Sequence, residues 1–146
     1  MKKLKIYPLV IETIENHALE TYPEECCGFL YGTEGDVREI SHAGKATNIK
    51  SENKRKRFEI DPLEYLQAEK YAMANNLELL GIYHSHPDHP AVPSEHDLKQ
   101  AAGYFSYIIV SVRKNKINNI QSWQLNDQQE FEEEEILDLI HVKVNS

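Results

Sequence analysis

An α/β domain, built as a mixed, curved β-sheet with helices packed against it, follows from three observations. Helical and strand-like patterns alternate along the chain. Two apolar runs, Leu79–Tyr83 and Tyr104–Val112, have the composition of buried strands. The chain has 146 residues, 40% of them apolar, which suits one substantial core, so residues 1–146 read as a single domain. The order of elements does not establish which strands pair in parallel.

Leu4–Tyr7 reads as a short edge strand. Pro8–Tyr22 carries Leu9, Ile11, Ile14, Ala18 and Leu19 at mostly helical spacing and predicts a first helix. Gly28–Tyr31 and Val37–Ser41 are strands joined through Gly32-Thr33-Glu34-Gly35; Ala43–Ser51 is weakly patterned. Phe58-Glu59-Ile60 alternates as a strand does. Asp61-Pro62 supplies an N-cap and a proline for the first turn of a second helix, with Glu64 at its third position and an end near Asn75. Glu78–Pro87 is a strand, and a short helix runs from Ser94 to Ala102. Tyr104–Val112 and Ile120–Leu125 are strands, the latter with Trp123 as a core anchor. Phe131–Val144 fits helix or strand. No internal repeat or long linker occurs.

The formal net charge is −8, which argues against nucleic-acid binding as the main activity. Met1-Lys2-Lys3-Leu4-Lys5 resembles the basic start of a signal peptide, but Glu12 and Glu15 interrupt the segment after it. No stretch is long and apolar enough for a membrane span. The expected location is cytoplasmic. Cys26 and Cys27 are adjacent and form neither a disulfide framework nor a Cys-x-x-Cys metal site. Strand alternation is expected to bury one and leave the other near a cleft. The basic cluster Lys50, Lys54, Arg55, Lys56 and Arg57 reads as a solvated loop beside that cleft, open to contact with a protein substrate. Glu132–Glu135 reads as a solvated acidic face.

The chemistry concentrates in His84-Ser85-His86-Pro87 and Pro93-Ser94-Glu95-His96-Asp97. Residues i and i+2 of a strand share a face, so His84 and His86 aim both imidazoles at one point while Ser85 faces away. Pro87 ends the ladder. The stiff proline loop 88–93 and a helix capped by Ser94 then fold back, bringing Asp97 to the strand end. Two histidines and one carboxylate can hold one metal ion and leave a fourth position for water, the arrangement of a catalytic zinc. The simpler alternative is that Ser94 and Asp97 form only an ordinary capping box. His89 and His96 lie near the site as supporting partners or spare ligands. His17, His42 and His141 read as surface histidines.

His-x-His-Pro, six further residues and Ser-x-x-Asp resemble the JAMM motif of the MPN+ metalloprotease family. That family's Glu-x-Cys-Gly pattern falls on Glu25, Cys27 and Gly28. The resemblance spans the chain from the first helix to the Ile108–Val112 strand. It implies an MPN fold of the cytidine-deaminase-like kind. It also implies His84, His86 and Asp97 as ligands of one zinc ion, Glu25 as general acid/base and Ser94 as stabiliser of the tetrahedral intermediate. A swap between Glu24 and Glu25 stays open. The short, stand-alone form is similar to bacterial peptidases acting on ubiquitin-like sulfur-carrier proteins. The implied reaction is hydrolysis of a peptide or isopeptide bond after the carrier's C-terminal glycines, with the extended tail added to an exposed strand. Neither nucleic acid nor membrane is an expected partner; oligomeric state is not fixed, and a homodimer stays open. Two other readings remain, a binding module without catalysis and a non-haem Fe(II) enzyme. A zinc deaminase would need His-x-Glu and Pro-Cys-x-x-Cys, and neither occurs.

Overall fold

Seven strands and three helices alternate along residues 2–137, which the computed structural model describes. The order is β1 (Lys3–Ile6), α1 (Pro8–Thr21), β2 (Cys27–Thr33), β3 (Arg38–Ala46), α2 (Pro62–Ala74), β4 (Glu78–Pro87), α3 (Glu95–Gln100), β5 (Ser106–Arg113), β6 (Lys116–Leu125) and β7 (Phe131–Leu137). The strands form one mixed sheet that closes on itself in the order β1-β3-β2-β4-β5-β6-β7. β4 and β5 are parallel, and β1 lies parallel to both β3 and β7.

That closure corrects the expectation of an edge strand at Leu4–Tyr7. Leu4 and Ile6 are fully buried, and β1 has a ladder on each side. Its four residues carry no outward sign of two partners. Phe58–Ile60 is a second correction. Phe58 and Ile60 are buried as the alternation requires, but the segment joins no ladder and makes one backbone bond, Ile49 N–H to Glu59 O. The Phe131–Val144 ambiguity resolves to strand through Leu137; residues 138–146, His141 among them, lie outside the described residues. Within the acidic run, Glu134 is buried and accepts a bond from the Ser122 hydroxyl, while its three neighbours are exposed. His17 is buried as well, its Nδ1 lying 2.7 Å from the Tyr83 hydroxyl, and is not the surface residue expected.

Local sequence accounts for the helix ends. The Asp61 carboxylate accepts from Leu63 N–H, and Pro62 opens α2. Asn76 adopts a left-handed conformation after the last turn, and Leu77 N–H reaches back to Ala72 O, a Schellman ending. Lys114 and Asn115 both have positive φ and join β5 to β6 through a two-residue turn that suits the strand twist. Among the described residues no helix is long and apolar enough to cross a membrane.

The sheet packs two apolar clusters on opposite faces. One gathers Val10, Ile14 and Ala18 of α1 against Leu30, Tyr83 and Ile108; the other gathers Ala68 and Ala72 of α2 against Phe29, Tyr31 and Ile82. Gly28 lies where these layers allow no side chain. A Cβ there would come 2.2 Å from the Tyr83 ring and 2.5 Å from Gly44 O. Gly28→Ala is therefore expected to destabilise the fold by about 1–3 kcal/mol through overpacking, read as a lower denaturant midpoint.

Candidate metal centre and active site

β4 carries the first part of the site. It is clamped between β2 and β5, which fixes its backbone. His84 and His86 share a face, each 1% exposed, while Ser85 turns to the other side, as the alternation predicts. There the Ser85 hydroxyl accepts from Cys26 N–H at 2.8 Å and ties the segment after Glu25 to the histidine strand.

The loop after Pro87 is held at several points. His86 Nδ1 lies 2.7 Å from Pro90 O, Trp123 Nε1–H donates to Ala91 O at 3.0 Å, and the Ser111 hydroxyl donates to His89 O at 2.6 Å. Trp123 is half-buried and serves as a strap on this loop, not as the core anchor expected. Asp88 accepts from the Tyr22 hydroxyl at 2.7 Å and from Lys114 N–H at 3.0 Å, fastening the strand end to the turn after α1.

Ser94 and Asp97 form a reciprocal capping box. Asp97 N–H donates to Ser94 Oγ at 3.1 Å, and Ser94 N–H donates to Asp97 Oδ2 at 2.9 Å. The cap does not compete with a role at the site. The same Oδ2 lies 3.2 Å from His86 Nε2 and 3.3 Å from His84 Nε2, and the two ring nitrogens are 3.1 Å apart. Capping fixes the carboxylate, and the helix start aims it at the histidines. α3 is shorter than expected and stops at Gln100.

These three atoms fit a cation. A carbonyl can only accept, so Pro90 O fixes the proton of neutral His86 on Nδ1 and leaves a lone pair on Nε2. That lone pair faces a carboxylate oxygen, which is unfavourable without a proton or a positive ion between them. A tetrahedral ion with bonds of 2.0–2.1 Å holds its donors about 3.3 Å apart, close to the separations present. Burial raises the Asp97 carboxyl, but its Coulombic interaction with His84, its contacts with both imidazoles and the hydrogen bond from the Ser94 backbone outweigh it. The group is held well below the usual carboxylate range.

Glu25 stands beside the trio and is 2% exposed, whereas Glu24 is exposed to solvent. Its backbone is pinned by Glu25 N–H to Lys54 O and by Asn48 Nδ2–H to Glu25 O at 3.1 Å. Glu25 Oε1 is buried without a hydrogen-bond partner. Burial, with the Asp97 charge adding to it, pushes the carboxyl up to about 9. A cation at the trio would oppose that shift.

His84 stacks on Phe58, and His89 stacks on His86 with ring centroids 4.2 Å apart. A cleft of about 730 Å³ opens here, its lining including Arg55, Lys56 and Arg57 as well as His89, Ser94 and His96. Ser94 is exposed to it, and its hydroxyl proton is free to donate. His96 is engaged with Gln100 at 2.8 Å. Sequence reasoning missed the hydrogen-bonding roles of Ser85, Asn48, Asp88 and Tyr22. Their partners are remote in the chain, and only the buried face of Ser85 could have been inferred from strand alternation.

Both cysteines are buried, against the expectation that one would border the cleft. Cys26 joins the α1 side of the sheet and Cys27 the α2 side. Burial pushes the Cys26 thiol up to about 11, and Cys27 also lies above its ordinary value, again chiefly through burial. Neither forms thiolate near neutral pH, so alkylation of the native protein is expected only as fast as the chain unfolds. Mass spectrometry of iodoacetamide-treated protein, native against denatured, measures this.

A closed mixed sheet presenting two strand histidines and a helix-cap aspartate is the architecture of a JAB/MPN domain. The chain belongs to the prokaryotic homologs of the JAB domain, whose family model matches residues 9–126. It is 33% identical over 113 residues to a desampylase of Pyrococcus furiosus, across 77% of this chain and 75% of that protein. It is 32% identical over 134 residues to the CysO-cysteine peptidase of Mycobacterium tuberculosis, across 87% of this chain and 89% of that one. A protein of Desulfitobacterium hafniense solved in solution superposes with a TM-score of 0.80 at 31% identity, covering 92% of this chain and 91% of that chain.

Proposed function

We propose that the protein is a zinc-dependent metallopeptidase that hydrolyses a peptide or isopeptide bond after the C-terminal glycines of a ubiquitin-like protein, a small sulfur carrier being the favoured substrate. The observation that carries this reading is the convergence of three donor atoms within 3.3 Å of one another beside a buried, unpartnered carboxylate. Two histidines and one carboxylate would hold the ion and leave a place for water, whereas a structural zinc is closed by four protein ligands. The relatives named as a desampylase and a CysO-cysteine peptidase support the reaction class and the substrate class.

Each residue has a separate task. A bound zinc ion supplies Lewis acidity, polarising the scissile carbonyl and lowering the pKa of water from 15.7 to about 7. Glu25 takes the proton of the attacking water and passes it to the leaving amine, a role worth roughly 10²–10⁴-fold in rate. Its pinned backbone holds the carboxylate in one place. The Ser94 hydroxyl donates to the oxygen that gains negative charge. Pro90 O holds the His86 ring in its ligating tautomer. Arg55, Lys56 and Arg57, which line the cleft, offer a contact surface to a protein substrate.

The test is incubation with ubiquitin-like carriers bearing C-terminal extensions, read by intact mass. Cleavage after the glycines, abolished by a chelator and restored by zinc, is the expected result. No cleavage of any carrier, peptide or isopeptide would replace this reading with that of a binding module. Metal analysis of protein purified without added metal is expected to find zinc; iron, with oxygen uptake, would point to the Fe(II) enzyme instead.

A further inference from the structure

The proposed reaction leaves His89 unused. It lines the cleft and stacks on His86, so its ring is held in place. Its Nδ1 lies 2.9 Å from Pro87 O, which fixes the proton there and leaves the Nε2 lone pair free. One ligand atom each of Glu25, His86 and His89 lies within 4.8 Å of the others, a second metal-capable group overlapping the first. Glu25 adds a buried Oε1 with no partner.

We propose that Glu25 and His89 form a second divalent-cation site next to the His84/His86/Asp97 centre, and that filling it switches the enzyme off. His86 offers one free lone pair, on Nε2, and shares it with the first centre. The second ion therefore depends on Glu25, His89 and water. With fewer protein ligands it binds more weakly than the first, so the first centre fills before the second. Once bound, it occupies the carboxylate that moves the proton. The enzyme is then active at low free zinc and silent at high free zinc. Binding at the site does not depend on the proposed activity; the inhibitory consequence does.

The experiment is a calorimetric zinc titration of the full chain after chelator stripping, paired with carrier cleavage at rising zinc. The unsubstituted protein is expected to show two binding events, and its cleavage rate to rise with the first and fall roughly 10²–10⁴-fold at saturation of the second, the loss that removing a general base produces. His89→Phe keeps the aromatic stack on His86 and removes the ligand. It is expected to retain the first event and cleavage, and to lose both the second event and the fall. Glu25→Gln is expected to retain the first event and lose the second, a binding readout that needs no activity. A single event in the unsubstituted protein overturns the proposal. So does a second event that survives both substitutions, which would belong to another histidine such as His42. Two events with undiminished cleavage overturn the inhibition. If no carrier is cleaved at all, the reading of the function fails while the titration still decides the site.

Discussion

Glu25→Gln is expected to leave the metal of the proposed centre bound and to lower turnover about 10²–10⁴-fold. Glutamine keeps the shape of the side chain but cannot accept a proton. Because Glu25 is separate from the His84/His86/Asp97 trio, the zinc content at one equivalent of metal is expected to stay the same. Full turnover in this variant would remove Glu25 from the mechanism. The same substitution has an opposite effect on the metal-free protein. The folded-state carboxyl is raised from 4.5 to about 9, so the folded state holds the proton more tightly than the unfolded chain. That contribution to stability is fully present below about pH 4.5 and is lost as pH rises through the window to about 9. Metal-free Glu25→Gln is therefore expected to be more stable than the unsubstituted protein at pH 8, by about 1–3 kcal/mol after allowing for an amide with incomplete hydrogen bonding. Urea unfolding at pH 5 and pH 8 measures it. If both expectations hold, Glu25 lowers stability and raises activity, the combination that marks a site selected for chemistry.

Asp97→Asn is expected to weaken zinc binding by more than about 100-fold and to abolish cleavage at stoichiometric metal. Losing an outer-shell partner alone typically costs 10–100-fold in affinity, and Asp97 contributes the only carboxylate of the trio. Asparagine retains an acceptor for Ser94 N–H, so α3 stays capped and the fold is preserved. Ser94→Ala is the complementary change. It removes the acceptor of Asp97 N–H, costs about 1 kcal/mol, and leaves the carboxylate able to bind metal. A competition titration with a zinc-binding dye separates the two. Equal affinities for Asp97→Asn and the unsubstituted protein would confine Asp97 to capping.

The histidine strand was fully legible from local sequence. Its limits, Glu78–Pro87, follow from an apolar run closed by a proline, and the shared face of His84 and His86 follows from the two-residue period. The Asp61-Pro62 start of α2 and the Ser94–Asp97 cap were legible for the same reason, since each is satisfied within a few residues. What escaped depends on partners far along the chain. Leu4 and Ile6 look like an edge because their second ladder comes from β7. His17 looks solvated because Tyr83, which receives it, belongs to another element. The expected exposure of one cysteine failed because helices cover both faces of the sheet at β2, so alternation there exchanges one core for another. Asn48, in a stretch with no pattern, holds the backbone of Glu25 by a bond that no periodicity signals.

The position of β1 between β3 and β7 governs how the chain acquires its structure. Lys3 pairs with Glu135 and Leu4 with Ile136, so the ring of strands cannot be completed until the residues of β7 have emerged from the ribosome. Such distant pairing carries a loop-closure cost before it is rewarded, which makes folding slow relative to helical proteins of similar length. During translation Leu4 and Ile6 await their last neighbour with apolar surface uncovered, and this is the interval in which a chaperone is of most use.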